Sequence, residues 1–331
     1  MPAAAAGEGR PWGVICNSLF ISAFAIANGL LLIFAPTVVG AIEANLEDPP
    51  AALDAAVKAV GEAALSPWAR AFGVQACMVG AMYLLDLAFG PASRSFAKGS
   101  GIMRFVWAGL AAAVIVPSGG PWYVLATVLL GDCGSGAHLL WAVSQWRRPA
   151  GDAGKRPKSL LWRGPYWSGM LHCALTFAIG ILLLVQPFVV ASVYGALTAR
   201  LGGRTAQALL TPATLVVDEV WGRLFAVFSM VTGLFFAQHG PNAFVASVGA
   251  RLVVIAGALA TAALVLSEAP RAMGGPPDAG DLPWLVAPAI SIAIPSLVSV
   301  PLAVLEHLVL NGKPDPMAVR EVQLAKDAHL E

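Results

Sequence analysis

Long apolar stretches alternate with short polar segments along the whole chain. Eight stretches are long enough, at about 20 residues each, for an α-helix to cross the hydrocarbon core of a bilayer. Backbone groups in lipid must be hydrogen-bonded within their own segment, so each stretch is expected to be a helix. The pattern therefore predicts an all-α, polytopic integral membrane protein whose transmembrane helices, called spans 1 to 8, lie at 14–36, 67–89, 103–119, 121–146, 166–190, 219–239, 246–268 and 283–309.

Composition agrees with this class. The 331 residues are 58% hydrophobic and 12% charged, with a mean hydropathy of +0.74, whereas soluble domains carry about 25% charged residues. The formal net charge of +1 gives no reason to expect a nucleic-acid partner. The chain also lacks the Gly-rich, Lys-bearing loop that holds nucleotide phosphates. The lipid bilayer is the first partner that the sequence predicts.

The charges between the spans predict which side each loop faces. The segment 146–163 holds six Lys and Arg residues against Asp152 alone, and 90–104 adds three more. In contrast, 40–66 carries five acidic residues against Lys58. Because positively charged loops stay in the cytoplasm, both termini are expected to be cytoplasmic and 40–66 to face outward.

Two stretches of the chain repeat each other in order and spacing, which indicates a tandem duplication. "SPWARAFGVQACMVGAMY" at 66–83 matches "EVWGRLFAVFSMVTGLFF" at 219–236. The matched positions are Trp68 with Trp221, Arg70 with Arg223, Phe72 with Phe225, Val74 with Val227 and Gly80 with Gly233, and beyond these stretches Pro36 with Pro187 and Arg104 with Arg251.

The duplication predicts the domain organisation. A first four-helix membrane repeat covers 1–146 and a second covers 165–310. A basic cytoplasmic linker at 147–164 joins them, and a polar tail follows at 311–331. Four spans per half leave both halves in the same orientation, so a pseudo-two-fold axis along the membrane normal is expected to relate them.

A four-span half with the motif "ARAFG" at 69–73 is similar to small four-span families such as the ergosterol-pathway scaffold proteins and the DoxX-like proteins. Members of these families often scaffold or assist other enzymes. The shared features cover a short part of one half and do not assign the chain to either family or transfer a residue role.

Ionisable side chains inside the spans cost about 2.5 to 3.5 kcal/mol each on insertion, so their positions bear on function. Arg70 and Arg223 lie near the outer ends of spans 2 and 6, where an arginine that reaches the interface is an ordinary anchor. An anion contact or an internal carboxylate pair is the alternative for both.

Two further matched pairs lie at the cytoplasmic ends of their spans. Arg104 and Arg251 begin spans 3 and 7, where membrane topology alone explains a positive charge. Asp86 and His239 occupy equivalent positions at the ends of spans 2 and 6. Asp86 is expected to form a structural ion pair with Arg104.

Histidines and cysteines give no reason to expect a metal or another cofactor. A zinc or di-iron site would need clustered carboxylates or a Glu-x-x-His spacing, and paired haem ligands would need histidines at matched depths. The histidines inside spans fall singly, at His138, His172, His239 and His307. The cysteines are also scattered singly, which disfavours a disulfide framework, at Cys16, Cys77, Cys133 and Cys173.

Asp132 is the most unusual residue of the chain. It lies in "LLGDCGSGAHLLWA" at 129–142, near the middle of span 4, where its short side chain cannot reach water at either membrane surface. Glycines at 131, 134 and 136 surround it, and Cys133 follows it. Glycine costs a helix about 1 kcal/mol relative to alanine, and it lets another backbone come close or lets the helix open locally.

The second half is interrupted at the corresponding depth. Matching "PWYV" at 121 with "PWLV" at 283 sets Cys133 opposite Pro295, and prolines at 288, 295 and 301 each remove a backbone donor from span 8. Interrupted segments at corresponding positions of two halves indicate a transporter's midplane site. Close helix packing, with Asp132 hydrogen-bonded to a neighbouring helix, is the alternative.

These features favour a proton-coupled or small-solute transporter with a site between spans 4 and 8. Asp132 would bind the proton or cation, Cys133, Ser135 and Pro295 would line the site, and His138 would relay protons toward the cytoplasm. The first alternative is a non-catalytic scaffold that holds membrane-protein partners. The second is an intramembrane lipid-modifying enzyme with Asp132 and His138 as acid and base, although residues six apart lie on different faces of a straight helix.

Overall fold

The chain is described by a computed structural model at residues 10–60, 66–89, 94–146, 167–185, 212–239, 244–277 and 282–311. These residues are almost all helical, and no strand occurs among them. Eight of their helices are long and apolar enough to cross a membrane. The predicted all-α, multi-pass membrane class is therefore confirmed. The basic linker at 147–164 and the tail beyond Asn311 lie outside the described residues.

Most spans begin and end close to their predicted bounds. Span 3 is longer than predicted and begins at Arg94, because Phe96, Ala97 and Ser100 of its first turns are buried against the bundle. The observed spans 1 to 8 are Trp12–Phe34, Pro67–Phe89, Arg94–Ser118, Trp122–Gln145, Trp167–Val185, Pro212–His239, Phe244–Met273 and Leu282–Asn311.

Two short helices, Pro36–Ala44 and Pro49–Ala59, lie between spans 1 and 2. Each begins with a proline, which has no amide hydrogen to leave unpaired in the first turn of a helix. Asp48 caps the second helix by accepting a hydrogen bond from the Ala51 amide. The second helix leaves apolar side chains such as Leu53 exposed, as expected of a helix that lies on a membrane surface.

Glycines allow the spans within each half to approach closely. Span 1 packs along span 2, and span 5 packs along span 6. A Cβ on Gly29 of span 1 would lie 2.6 Å from the Gly73 carbonyl oxygen of span 2, and a Cβ on Gly180 of span 5 would lie 2.7 Å from Met230 Cγ of span 6. Span 7 packs on span 2 and span 3 packs on span 6, so spans 2 and 6 contact helices of both halves.

The contact between spans 2 and 6 is reciprocal. Trp68 of span 2 packs on Phe225 of span 6 with ring centroids 5.4 Å apart, and Trp221 of span 6 packs on Phe72 of span 2 at 5.6 Å. The sequence comparison matches Trp68 with Trp221 and Phe72 with Phe225. Reciprocal pairs of this kind are expected where a two-fold axis passes between two copies of one unit. The tandem duplication itself remains a prediction from the sequence.

Arg70 points into the helix bundle and not toward its outer surface. Its side chain is buried, and its guanidinium donates hydrogen bonds to the Ile33 carbonyl oxygen at 2.7 Å and to Glu268 Oε2 of span 7 at 2.5 Å. The predicted role of Arg70 as an interfacial anchor is therefore wrong, and the internal carboxylate pair is formed instead. The sequence gives the depth of Arg70 in its span but not the face of the helix that carries it.

Candidate functional site

Asp132 lies in a π-helical segment in the middle of span 4. The span begins as an α-helix at Trp122–Thr127, becomes π-helical at Val128–Cys133 and returns to α-helix at Gly134–Gln145. π-helical turns are rare and occur frequently at functional sites. The sequence predicts that the glycines of this stretch let the helix open locally. The π-helical segment around Asp132 is such a local change of helix geometry.

Asp132 borders a cavity inside the bundle, which we call the Asp132 cavity. The empty space between its lining residues is about 510 Å³, including the part that opens outward. Trp107 of span 3 donates its indole N–H to Asp132 Oδ2 at 3.2 Å. Asp132 therefore has both a hydrogen-bond partner and open space beside it. The polar residues that line the cavity are Tyr83, Ser100, Arg104, Asp132 and Thr232, and its apolar walls include Met78, Met82, Met103, Trp107, Phe228 and Phe235.

Arg104 also lines this cavity, deep between spans 1, 2 and 4. Its side chain is only 5% exposed. Its Nη1 donates to Asn17 Oδ1 at 2.9 Å and to Ser135 Oγ at 2.8 Å, and its guanidinium lies 5.1 Å from the centroid of the Tyr83 ring. The interpretation of Arg104 as a topology signal alone is therefore wrong, because its charge is held inside the bundle.

The guanidinium of Arg104 keeps an unsatisfied edge. Its Nε and Nη2 atoms have no hydrogen-bond partner in the described part of the chain. Asp132 is near enough for the two charges to interact, but the described residues show no ion pair between Asp132 and Arg104. A buried donor without a partner costs about 1 to 3 kcal/mol, and more when it is charged. The cavity wall thus carries a cation, Arg104, and an acid, Asp132, that form no ion pair with each other.

The other predicted residues of span 4 separate from one another. Ser135 is buried, accepts the hydrogen bond from Arg104 and donates to the Asp132 carbonyl oxygen at 3.2 Å. Cys133 is half-buried and packs against the apolar core. His138 is exposed on the outer surface of the span and is not among the residues that line the cavity. Ser135 therefore belongs to the site through Arg104, whereas His138 does not line the cavity and contacts only Asn17 of the site, with Nδ1 3.3 Å from Asn17 Nδ2.

Two glycines around Asp132 serve close packing. A Cβ on Gly131 would lie 2.6 Å from the ring of Phe24 in span 1. A Cβ on Gly136 would lie 3.2 Å from the Gly101 carbonyl oxygen of span 3. At Gly134, by contrast, an added Cβ would meet no described atom within 4 Å. Close helix packing therefore explains the glycines at 131 and 136. It does not explain Asp132, which lines the cavity.

Pro295 lines a second and smaller cavity of about 330 Å³. Span 8 packs against spans 2, 5 and 7, whereas span 4 packs against spans 1 and 3. The structure therefore does not bring Pro295 and Asp132 to one cavity. The two cavities are neighbours, since Met78 and Thr232 line both. The polar residues of the second cavity are Gln75, His172, Thr176, Ser229, Thr232, Ser291 and Ser296.

Asp86 pairs with Arg10 and not with Arg104. The Arg10 Nη2 and Asp86 Oδ2 atoms lie 3.1 Å apart, and Arg10 also donates to the Asp86 carbonyl oxygen at 2.7 Å. The predicted pair of Asp86 with Arg104 is therefore wrong, because Arg104 turns toward spans 1 and 4. The side chain of His239, the matched position, lies outside the described residues.

The matched arginines of spans 3 and 7 have similar surroundings. Arg251 is buried, as Arg104 is, so topology alone does not explain it either. Its guanidinium lies 5.2 Å from the centroid of the Phe236 ring, and the sequence comparison matches Phe236 with Tyr83. Arg223 is half-buried. Each half therefore sets one buried arginine over an aromatic ring of its own second helix.

Sequence reasoning missed Asn17, Tyr83 and Trp107. Asn17 holds Arg104 and donates to the Ser135 carbonyl oxygen at 2.7 Å. A side-chain amide inside an apolar span is a signal of the same kind as Asp132, so Asn17 could have been found. Tyr83 and Trp107 carry no such signal, because aromatic residues are common in membrane helices and only the fold turns these two toward the cavity.

Comparisons with known protein families, curated proteins and solved structures find no match for this chain. The described residues contain no group of three or more His, Cys, Asp or Glu side chains that could hold a metal ion. The fold defines the class as a multi-pass α-helical membrane protein.

Proposed function

We propose that this protein is a proton-coupled transporter of a small solute, with its binding site in the Asp132 cavity. The observation that carries the proposal is the position of Asp132. Its carboxyl group lies in the middle of a span, in a π-helical segment, beside a cavity of about 510 Å³. Ionisable groups at this depth are costly and mark ion, proton or substrate pathways.

The chemistry of the cavity suits Asp132 to carry the coupled proton. As a carboxylate it accepts the Trp107 N–H, and as a carboxylic acid it keeps an acceptor and gains a donor. Arg104 supplies a fixed positive charge on the same cavity lining. Protonation of Asp132 therefore changes the charge of this lining from neutral to positive, which couples proton binding to the binding of a charged solute.

The predicted duplication supports this function. Two four-helix halves, 1–146 and 165–310, would move against each other as the parallel repeats of known transporter folds do. The reciprocal contacts of spans 2 and 6, such as Trp68 with Phe225, lie where such halves would pivot. The neighbouring cavities, both lined by Met78 and Thr232, lie on the same central helices.

The two alternatives have less support. A scaffold has no need of a charged cavity at the depth of Asp132, and such a cavity is present. An enzyme with Asp132 and His138 as acid and base would need both groups at one site. His138 is instead exposed on the outer surface of span 4, because the helix is regular again from Gly134.

The proposal is tested with the full-length chain in proteoliposomes that contain a pH-sensitive dye. Inward gradients of amino acids, sugars, polyols, nucleosides, organic acids and inorganic ions are applied one at a time, with protein-free liposomes as the control. At least one solute is expected to change the internal pH only when the protein is present. If correctly reconstituted protein moves protons with none of these classes, the proposal is wrong.

A further inference from the structure

We infer that the Asp132 cavity binds the carboxylate of a mainly apolar organic acid on the free edge of Arg104. The inference rests on the proposed function in one respect, since it names the solute class of that transporter. Binding at this site is measurable without any transport.

The free edge of Arg104 has the geometry of a carboxylate site. A guanidinium presents its N–H groups in a rigid planar fork, and the fork formed by Nε and Nη2 matches the two oxygens of a carboxylate. Nη1 is already used by Asn17 and Ser135, whereas Nε and Nη2 have no partner within the described residues. Only 5% of the Arg104 side chain is exposed. The arginine is therefore oriented by protein partners through Nη1, and its Nε and Nη2 donors are buried beside the cavity without a partner among the described residues.

The partners of Arg104 fix its orientation before any ligand binds. Asn17 is itself held, because its amide donates to the Ser135 carbonyl oxygen at 2.7 Å. Tyr83 stacks under the guanidinium, and its hydroxyl hydrogen-bonds Ser100. A cation that is already oriented loses little conformational freedom on binding, so more of the interaction energy contributes to affinity.

The remaining lining of the cavity determines the rest of the ligand. Its walls are formed mainly by methionine and aromatic side chains, including Met82, Met103, Trp107 and Phe228. These side chains offer dispersion contacts, and methionine adapts to irregular shapes. A sugar or a polyol would leave its hydroxyl groups unpaired against such walls, which is costly. The cavity therefore favours a hydrocarbon or aromatic body attached to the anionic group.

The charge of the lining favours a singly charged anion over a phosphate ester. Arg104 is the only Lys or Arg among the described residues that line the cavity, and Asp132 is the only acid. A phosphate carries up to two negative charges and three acceptor oxygens. One guanidinium with one free edge satisfies a carboxylate but leaves a phosphate under-neutralised beside Asp132.

Binding is measured on purified wild-type protein with two carboxylates, 3-phenylpropionate and palmitate. Each is compared with the uncharged alcohol of the same skeleton, 3-phenylpropan-1-ol or hexadecan-1-ol. At least one acid is expected to bind about 10-fold or more tightly than its alcohol, because a charge-assisted fork replaces a neutral contact. Preference for 3-phenylpropionate indicates an acid taken from water, and preference for palmitate indicates one taken from the bilayer. If neither acid is preferred over its alcohol, the inference is overturned.

Two matched variants locate the binding. Arg104→Lys keeps the positive charge but loses the fork, so it is expected to lose most of the preference for the acid. Arg251→Lys makes the same exchange at a buried arginine that does not line the Asp132 cavity, and it should keep the preference. An Arg104→Lys protein that binds the acid as the wild type does would refute the site. If Arg104→Lys does not fold, the wild-type comparison of acid with alcohol decides alone.

Failure of this inference and failure of the proposed function give different results. If the protein prefers a carboxylate but no solute gradient moves protons, the carboxylate site stands and the transport function is rejected. If another solute class drives proton movement and the protein shows no preference for a carboxylate, the transport function stands and the carboxylate site is rejected.

Discussion

Replacing Asp132 with Asn is expected to reduce solute-driven proton movement to the level of protein-free liposomes. An amide cannot take up or release a proton, yet Asn can still accept the Trp107 N–H that Asp132 Oδ2 accepts. The variant should therefore fold and still bind solute. It should also bind an anionic solute with little dependence on pH, because no carboxylate remains to compete for Arg104. The measurement is internal pH in proteoliposomes, paired with solute binding in detergent.

Two control variants test whether the effect belongs to the cavity. Asp86→Asn removes another buried carboxylate of the first half, one that pairs with Arg10. His138→Gln removes the titratable imidazole of the same helix, whose Nδ1 lies 3.3 Å from Asn17 Nδ2. Both are expected to retain coupled proton movement, and Asp132→Glu should retain part of it. An Asp132→Asn protein that moves protons as the wild type does would contradict the assignment.

Replacing Glu268 with Gln is expected to lower the free energy of unfolding by about 3 kcal/mol, since removal of one partner leaves a buried charge uncompensated. Arg70 is fully buried and its Nη2 lies 2.5 Å from Glu268 Oε2. The pair also joins span 2 to span 7, so its loss weakens the contact between the two halves. The measurement is denaturation of the purified protein in a mild detergent.

The controls for Glu268→Gln separate a lost pair from a lost charge. Asp54→Asn removes an exposed acid from the short helix Pro49–Ala59 and should change stability very little. Adding Arg70→Met to Glu268→Gln should recover much of the loss, because it removes the uncompensated cation. If Glu268→Gln is as stable as Asp54→Asn, the pair does not stabilise the bundle.

Most of the fold could be predicted from the sequence because hydrophobic length reports membrane helices directly. The spans at 67–89 and 121–146 were predicted almost to the residue. Span 3 was predicted too short because its first turns, near Lys98, carry polar residues. Those turns are helical nonetheless, since Phe96 and Ser100 are buried against other helices, and such tertiary contacts leave no mark in a hydropathy pattern.

The candidate site could be predicted only in part. Asp132 and the local irregularity of its helix were visible, because an acid between glycines in the middle of a span is unusual. The partners were predicted wrongly, since depth along a span does not give the face of the helix. Asp86 pairs with Arg10, and Arg104 binds Asn17 instead. Glu268 was missed as the partner of Arg70 because the two are 198 residues apart.

The central claim is that the solute pathway reaches Asp132, and thiol labelling tests it most directly. In a chain whose native cysteines are replaced by alanine, Asp132→Cys is compared with Leu130→Cys. Leu130 is two residues away and 81% exposed on the outside of the bundle, where it faces lipid. Only a thiolate reacts with the anionic, membrane-impermeant reagent MTSES, and a thiolate needs a polar environment. We predict that the cysteine at 132 reacts, that added solute slows the reaction, and that the cysteine at 130 stays unmodified. If MTSES does not modify the cysteine at 132, or modifies the cysteines at 130 and 132 equally, the account is contradicted.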